Sequence, residues 1–452
     1  MKVFISVFLV WIAIVPASVS RAETPDKHDG LGAFAALLEE GNAPQASGPV
    51  LTLDEVERIA LLHNPEIEVA VRRVAIAEAH VAAAGALDDP IAMYRGWGVP
   101  LQQPWNFNDA QNMFSISETL PGPGKRRLRT SVAQSDVAEL KAELQQTRLE
   151  VHVRVHKAFD AMLLANEELR VHHQHVSIAR QAIDAARIQY ATGSVPQQDI
   201  LKAQVALTQL AEHMIRFDRD AELARARLNT LLGRDPTAPL NVQGEYAVLA
   251  PLPNEQALET LALHSRPDLL AAQVAVERSH KEQALAKKAY VPDFTVSGGY
   301  MLMPPSIPIR NNYMVEGSMN LPWLNHRKHN AEISESNAEA SEQDAELAEL
   351  RNAAFGQVQE ARVQAEAAQK FALLYHDQLQ PQAEATLQSS VIAYENGKTN
   401  FLDLLDSQMT VIDIDLAWVQ AVADFDSRLA DLELATGTPL DDAPTPTLEV
   451  KP

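Results

Sequence analysis

Fourteen histidines and not one cysteine set the chemistry open to this 452-residue chain. Without thiols there is no disulfide, Cys-ligated zinc, iron–sulfur cluster, thiol nucleophile or lipidated N-terminal Cys. His152 and His156 stand four residues apart, which puts both imidazoles on one helix face, a spacing that can hold a divalent ion. His172, His173 and His175 cluster further along, and His326 with His329 opens a later segment. Neither Cys nor an HExxH pattern accompanies them, and a solvated helix face is the commoner use of such residues. His152 and His156 therefore rank as weak metal candidates, and no stable metal site and no cofactor are expected. Gly122-Pro123-Gly124-Lys125 lacks the gap of a phosphate loop, and its proline removes a backbone donor. It reads as a strand-to-helix turn at Pro121, Gly124 and Lys125. No Ser–His–Asp order, paired-acid cleft or nucleotide fingerprint is visible, so no enzyme is expected. A formal charge of −22 argues against a nucleic-acid partner.

The elements that must carry these residues begin behind an address. Lys2, an apolar stretch from Val3 to Val15, and small residues up to Ala22 read as a secretory signal over residues 1–22. A short membrane anchor is the alternative, although the run is shorter than the ~20 residues a spanning helix needs. Residues 23–50, broken by Pro25, Pro44, Gly48 and Pro49, read as an extended arm. No later apolar run reaches the length of a spanning helix.

The remainder is written twice. Asn64-Pro65 and Arg266-Pro267 lie 202 positions apart, as do Pro90 and Pro292. Leu120-Pro121 and Leu321-Pro322 lie 201 apart; Tyr190-x-x-Gly193 and Tyr394-x-x-Gly397 lie 204 apart, as do Gly233 and Gly437. A duplicated module follows, over residues 51–233 and 254–437, with a linker at 234–253 and a tail at 438–452. Each copy opens with a helical segment (about 53–86 and 255–289). The pattern then switches to alternation. Phe294, Val296, Tyr300 and Leu302 alternate with polar or small residues, and so do Tyr313, Val315, Met319 and Leu321. The first copy is rougher, with Ile91, Met93, Trp97 and Val99, then Phe114, Ile116 and Leu120. Period two over about ten residues marks a half-buried strand, and about ten is also the length of a tilted strand crossing a bilayer. One hairpin per copy is expected, at about 90–121 and 292–322. A small soluble sheet packed on helices remains the competing reading. Open edges are not tolerated in lipid, so four strands make sense in a membrane only if several chains close the wall. Trp97, Tyr94, Tyr300, Tyr313 and Trp323 suit an interfacial aromatic belt, with ordinary packing as the alternative. Lys125, Arg126, Arg127 and Arg129 are expected at the boundary between strands and helices, as a solvated collar or in contact with lipid headgroups.

Each hairpin precedes a very long helix. Roughly 65 residues from Lys125 to Tyr190, at ~1.5 Å each, give about 100 Å. Val155, Met162, Leu169, Val176, Ile183 and Tyr190 recur every seven residues, with Ala158, Ala165, Ala179 and Ala186 three positions on. That is the seam of a closely packed coiled coil. Ile200, Leu207, Met214, Ala221 and Leu228 continue it in the next helix, and Leu404, Val411, Trp418, Phe425 and Leu432 repeat it in the second copy. Helical hairpins at about 125–233 and 327–436 should turn at Gly193 and Gly397. The return to the second turn is expected as one helix from about His329 to Tyr394.

These features together resemble the TolC-type outer-membrane efflux proteins, in particular the CzcC/CusC-like branch that serves metal-ion efflux. The resemblance rests on the exported start, the duplicated module, the Leu-Pro-Gly-Pro-Gly-Lys-Arg-Arg run at Leu120–Arg127 and the Tyr-x-x-Gly turns. It covers about Leu51 to Gly437. It implies a mainly α fold with a small β part: four strands per chain in a trimeric, twelve-stranded transmembrane barrel, above a periplasmic helical tunnel. It implies a homotrimer held in outer-membrane lipid and a tripartite assembly with a periplasmic adaptor and an inner-membrane RND-type pump. The family's periplasmic gate carries over to Asp199, Tyr394, Asp403 and Asp406. A ring of such carboxylates favours cations; the alternative is helix-dipole stabilisation in a first turn. Relatives often carry Arg two residues beyond the second Gly, where this chain has Thr399. The implied function is a passive outer-membrane exit duct, with metal cations as the expected cargo. Drug or type I secretion export is the alternative within the class, and a soluble periplasmic scaffold or adaptor is the alternative outside it.

Overall fold

The structure, a computed structural model, describes residues 48–99, 101–193, 196–246, 249 and 251–439. The expected signal (1–22), the arm up to 47 and the tail from 440 lie outside the described residues.

The first half runs β1 (Val50–Leu51), α1 (Leu53–His63), α2 (Pro65–Ala84), β2 (Ile91–Trp97), β3 (Gln111–Leu120), α3 (Lys125–Ala191) and α4 (Gln197–Leu231). After β4 (Asn241–Val242), the second half gives α5 (Glu255–Ser265), α6 (Pro267–Lys287), β5 (Phe294–Leu302), β6 (Asn311–Met319), α7 (His326–Leu374), α8 (Gln380–Glu395) and α9 (Phe401–Thr436). Parallel pairing of β1 with β4 ties the end of the arm to the segment expected as a linker, a contact the sequence reading lacked.

Two helices expected as continuous are broken. A residue before proline is driven out of the helical region, and Asn64 (ψ 126°) and Arg266 (ψ 118°) obey this, splitting α1 from α2 and α5 from α6. Asn64 restarts the helix by accepting a 2.8 Å hydrogen bond from the Glu66 N–H, with Pro65 at the first position, where no donor is needed. The same two residues brace the far ends of the long helices. Asn64 Nδ2 donates to the Leu231 carbonyl at 2.9 Å, and Arg266 Nη1 donates to the Ala435 carbonyl at 3.0 Å. Gly233 and Gly437, both at positive φ, sit against these breaks. A Cβ there would fall 2.8 Å from the His63 carbonyl oxygen and 2.6 Å from Arg266 Cα respectively, so no larger residue fits.

The third long helix differs from the expectation too. It is not one helix from His329 to Tyr394 but α7 and α8 joined by a π-helical turn at Tyr375–Leu379. Pro381 is the cause: it has no N–H, its ring excludes the carbonyl four residues back, and the turn widens to absorb the mismatch.

Helix α3, 67 residues and therefore about 100 Å, packs on α2, α4, α6 and α9. Its seam is buried at Val155, Met162, Leu169, Val176 and Ile183, while Tyr190 is exposed in the last turn. In the first half Val56, Ala60, Val155, Phe159, Met162 and Leu228 close one apolar cluster. Leu258, Ala262, Val358, Leu432 and Ala435 close its counterpart in the second.

Candidate pore wall and entrance

The four long strands form one antiparallel sheet in the order β2-β3-β5-β6, so the two hairpins join through β3 and β5. Register makes the sheet two-faced. Phe294 lies opposite Leu120 and Met319; Gly298 lies opposite Ile116 and Val315. This face turns its apolar side chains to the outside of the protomer, with Val315 86% and Tyr313 89% exposed. On the other face Thr295 pairs with Thr119, their hydroxyls 3.1 Å apart, and Ser297 lies between Ser117 and Glu316. Across β3, β5 and β6 an apolar outer face and a hydroxyl-lined inner face are what a wall between lipid and a water-filled lumen requires. In β2 the expected order is reversed, because register sets Ile91, Met93 and Trp97 opposite Ser117, Ser115 and Gln111 on the hydroxyl face and Tyr94 on the apolar one.

Tyr94, Phe114, Tyr300 and Tyr313 fall in one register row across all four strands. Their rings meet at 5.0 Å (Tyr94–Phe114) and 6.1 Å (Tyr300–Tyr313). Three of the five aromatics expected at an interface, Tyr94, Tyr300 and Tyr313, share this row with Phe114. Trp97 ends β2 and Trp323 lies in a 3-10 turn at Pro322–Asn325; both are exposed.

Where sheet meets helix, Gly124 (φ +89°) precedes Lys125, the first residue of α3. Pro121 and Gly122 lead into it, and Gly122 packs so closely on Pro292 that a Cβ would lie 2.6 Å from that carbonyl oxygen. Asp293 Oδ1 accepts both the Gly122 N–H (2.7 Å) and Lys125 Nζ (2.8 Å). Burial opposes ionisation of this carboxyl, and the bonds from Lys125 and Gly122 outweigh it, holding its pKa below the ordinary value. Lys125 is buried in this tie between the two halves, and Arg126 donates from two nitrogens to the Gly85 carbonyl; Arg127 and Arg129 remain exposed.

At the opposite end of the helices, Gly193 (φ +76°) and Gly397 (φ +65°) close the turns, their N–H groups donating to the Tyr190 and Tyr394 carbonyls. Ile183, Ala203 and Phe401 form an apolar cluster there, with Leu207, Leu405 and Tyr394 packed on it. The Tyr394 and Phe401 rings lie 6.0 Å apart. Asp403 and Asp406 are exposed in the first turns of α9. Asp403 Oδ2 accepts the Thr399 hydroxyl at 2.5 Å, so Thr399 forms a local link to this acid. Asp199 is buried in the first turn of α4 and does not share that exposed surface.

Midway along the helices, His152 and His156 face acids that the sequence reading did not connect with them. His152 Nδ1 lies 3.4 Å from Glu57 Oε1, and His156 Nε2 lies 3.8 Å from Asp160 and 3.9 Å from Asp426. Burial, reinforced by His156, pushes the His152 pKa down. Burial, with Asp54 and Glu433 adding repulsion, raises Glu57 to about 7. Asp160 rises to about 8, chiefly by burial and then by Asp426. The i, i+4, i+8 spacing of His152, His156 and Asp160 was legible in the sequence; Glu57, Asp426 and Glu433 arrive from other helices. Among the other histidines, His172 is fully buried with its ring 5.5 Å from Phe217, and burial takes its pKa down to about 4. His175 Nε2 meets Asp415 at 3.2 Å, and His329 Nδ1 meets Glu332 at 2.9 Å.

The family described as "Outer membrane efflux protein" matches over residues 58–234 and 258–438. This chain belongs to that family. It is an outer-membrane efflux channel of mainly helical, TolC-like fold with a small sheet. Among curated relatives, the cobalt-zinc-cadmium resistance protein CzcC of Cupriavidus metallidurans is 23% identical over 293 residues, 64% of this chain and 68% of that protein. Nodulation protein T of Rhizobium leguminosarum bv. trifolii is 22% identical over 411 residues, 86% of each. Among solved structures, CusC, described as forming a transmembrane channel, superposes with TM-score 0.72 at 15% identity, covering 85% of this chain and 92% of that one. The outer-membrane channel OprN gives 0.71 at 20% identity, covering 87% and 91%. These structural likenesses establish the fold; the residues above carry the rest.

Proposed function

We propose that this channel works as a homotrimer, each chain lending four strands to a closed twelve-stranded barrel and its long helices to a periplasmic tunnel. The observation that carries this reading is the two-faced sheet. Its apolar face and its hydroxyl face suit lipid and water, and β2 and β6 have no neighbour on their outer edges among the described residues. Open edges are excluded from hydrocarbon, and three copies joined edge to edge leave none. The chain would be two copies of one module, at 51–233 and 254–437. The paired braces at Asn64 and Arg266, and at Gly233 and Gly437, support this.

The cargo in this reading is a divalent metal cation, delivered by an inner-membrane pump through a periplasmic adaptor that grips the helical tips. Similarity to a cobalt-zinc-cadmium resistance protein supports that class of substrate. The duct itself performs no chemistry. It would reach the outer membrane by cleavage of a signal at residues 1–22 and stay there without a lipid anchor. At the entrance, Asp403 and Asp406, repeated three times around the axis, would favour cations; Tyr394 and the buried Asp199 would hold the turns that carry them. Planar-bilayer recordings test the gate. Replacing Asp403 and Asp406 together by Ala should raise the conductance and lower the preference for cations over anions severalfold. Unchanged selectivity and unchanged block by divalent cations would remove both acids from the gate.

A further inference from the structure

We propose that Glu57, His152, His156, Asp160 and Asp426 form a binding site for a divalent transition-metal cation that clamps the two halves of the chain together. It lies midway along the helices, separate from the entrance acids, and does not depend on the pore reading. Three elements supply it: α1 brings Glu57, α3 brings His152, His156 and Asp160 at successive turns, and α9 brings Asp426.

The ligand atoms fall into two groups sharing His156: Glu57 with both histidines, and His156 with both aspartates. Within each group all of them lie inside 4.8 Å of one another. Bonds of about 2.0–2.2 Å to nitrogen and oxygen in a tetrahedron place neighbouring ligands roughly 3.4 Å apart. His156 stands 3.8 Å from Asp160 and 3.9 Å from Asp426, near that spacing. A mixture of imidazole and carboxylate with no thiolate selects zinc- or cobalt-like ions over calcium or magnesium.

Asp160 gives an independent sign. Its side chain is only 5% exposed, and Oδ2 points into the cluster with no hydrogen-bond partner. A buried carboxylate oxygen left this way is costly unless it is protonated or a cation compensates its charge. Glu433 adds a further carboxylate, its Oε2 4.0 Å from His152 Nε2. Lys157, the lysine on the adjoining face, is engaged by Asp431. Four carboxyl groups, those of Glu57, Asp160, Asp426 and Glu433, thus converge on two imidazoles, a donor set that a divalent ion can draw together.

The test uses untagged, detergent-solubilised mature protein stripped of metal and titrated with Co2+. One Co2+ per chain is expected, with the visible absorption bands of a four- or five-coordinate ion, displaced by Zn2+. His156→Gln should abolish the bands, and Asp426→Asn should weaken binding by about tenfold or more. The entrance variant with Asp403 and Asp406 both replaced by Asn should bind as the wild type does. Failure of the wild-type protein to bind Co2+ overturns the proposal whatever the variants do. Unchanged bands in His156→Gln, or bands lost only in the entrance variant, overturn it too.

Discussion

Single residues in this protein are held to conditions set by burial. Glu168, half-buried on α3, has its pKa raised to about 7, first by desolvation and then by Asp220, against the pull of Arg216. The sign follows from linkage. Below about pH 4.5 the carboxyl is protonated in both folded and unfolded chains and costs nothing. Between about 4.5 and 7 the unfolded chain ionises and the folded one resists, so stability falls as pH rises, and the penalty is complete above about 7. Glu168→Gln should therefore raise the melting temperature at pH 8 and leave it unchanged at pH 4. Discounted for solvent screening, the gain is roughly 1 kcal/mol, on the order of one or two degrees. Scanning calorimetry at the two pH values checks it; an equal shift at both would show a packing effect instead. At this scale the sequence was partly legible. The turn glycines and the acids of α9 were visible as types at fixed offsets. Asp293 was not, because nothing near it in sequence hints that it would accept Lys125 and Gly122 from a turn about 170 positions earlier.

Elements were the most legible level, and their failures have named causes. Period-two alternation gave the strands, and a seven-residue repeat gave the seams of α3, α4 and α9. Pro65 and Pro267, visible as landmarks, also break their helices, and Pro381 forces a π turn that apolar periodicity does not mark. Strand register could not be read, since β3 meets β5 across some 170 residues and no local pattern fixes that pairing. It is register that aligns Tyr94, Phe114, Tyr300 and Tyr313 into one row. The faces of the sheet yield a prediction of their own. Val315→Lys places a charge on the apolar face, at a cost of about 2–4 kcal/mol where lipid is deepest, and should cut the yield of heat-resistant oligomer from outer membranes severalfold. Ser297→Lys, on the hydroxyl face, should assemble normally and lower single-channel current for cations. Equal loss for both would deny the faces their separate roles.

For the whole molecule, the acidic balance and the absence of thiols acquire a physical meaning. Most of the buried apolar residues lie on the helices, yet no helix among the described residues is long and apolar enough to cross a membrane. The sheet of four strands, suited to the outer membrane by its apolar face, ends in one chain at two open edges. The proposed trimer is the economical way to close them. Its subunit number is also the quantity on which the barrel, the tunnel and the ring of entrance acids all depend. The most direct measurement is the mass, by light scattering corrected for detergent, of the protein extracted from isolated outer membranes. Three chains per particle are predicted; a single chain per particle, or recovery of the protein in the soluble periplasmic fraction, would contradict the account.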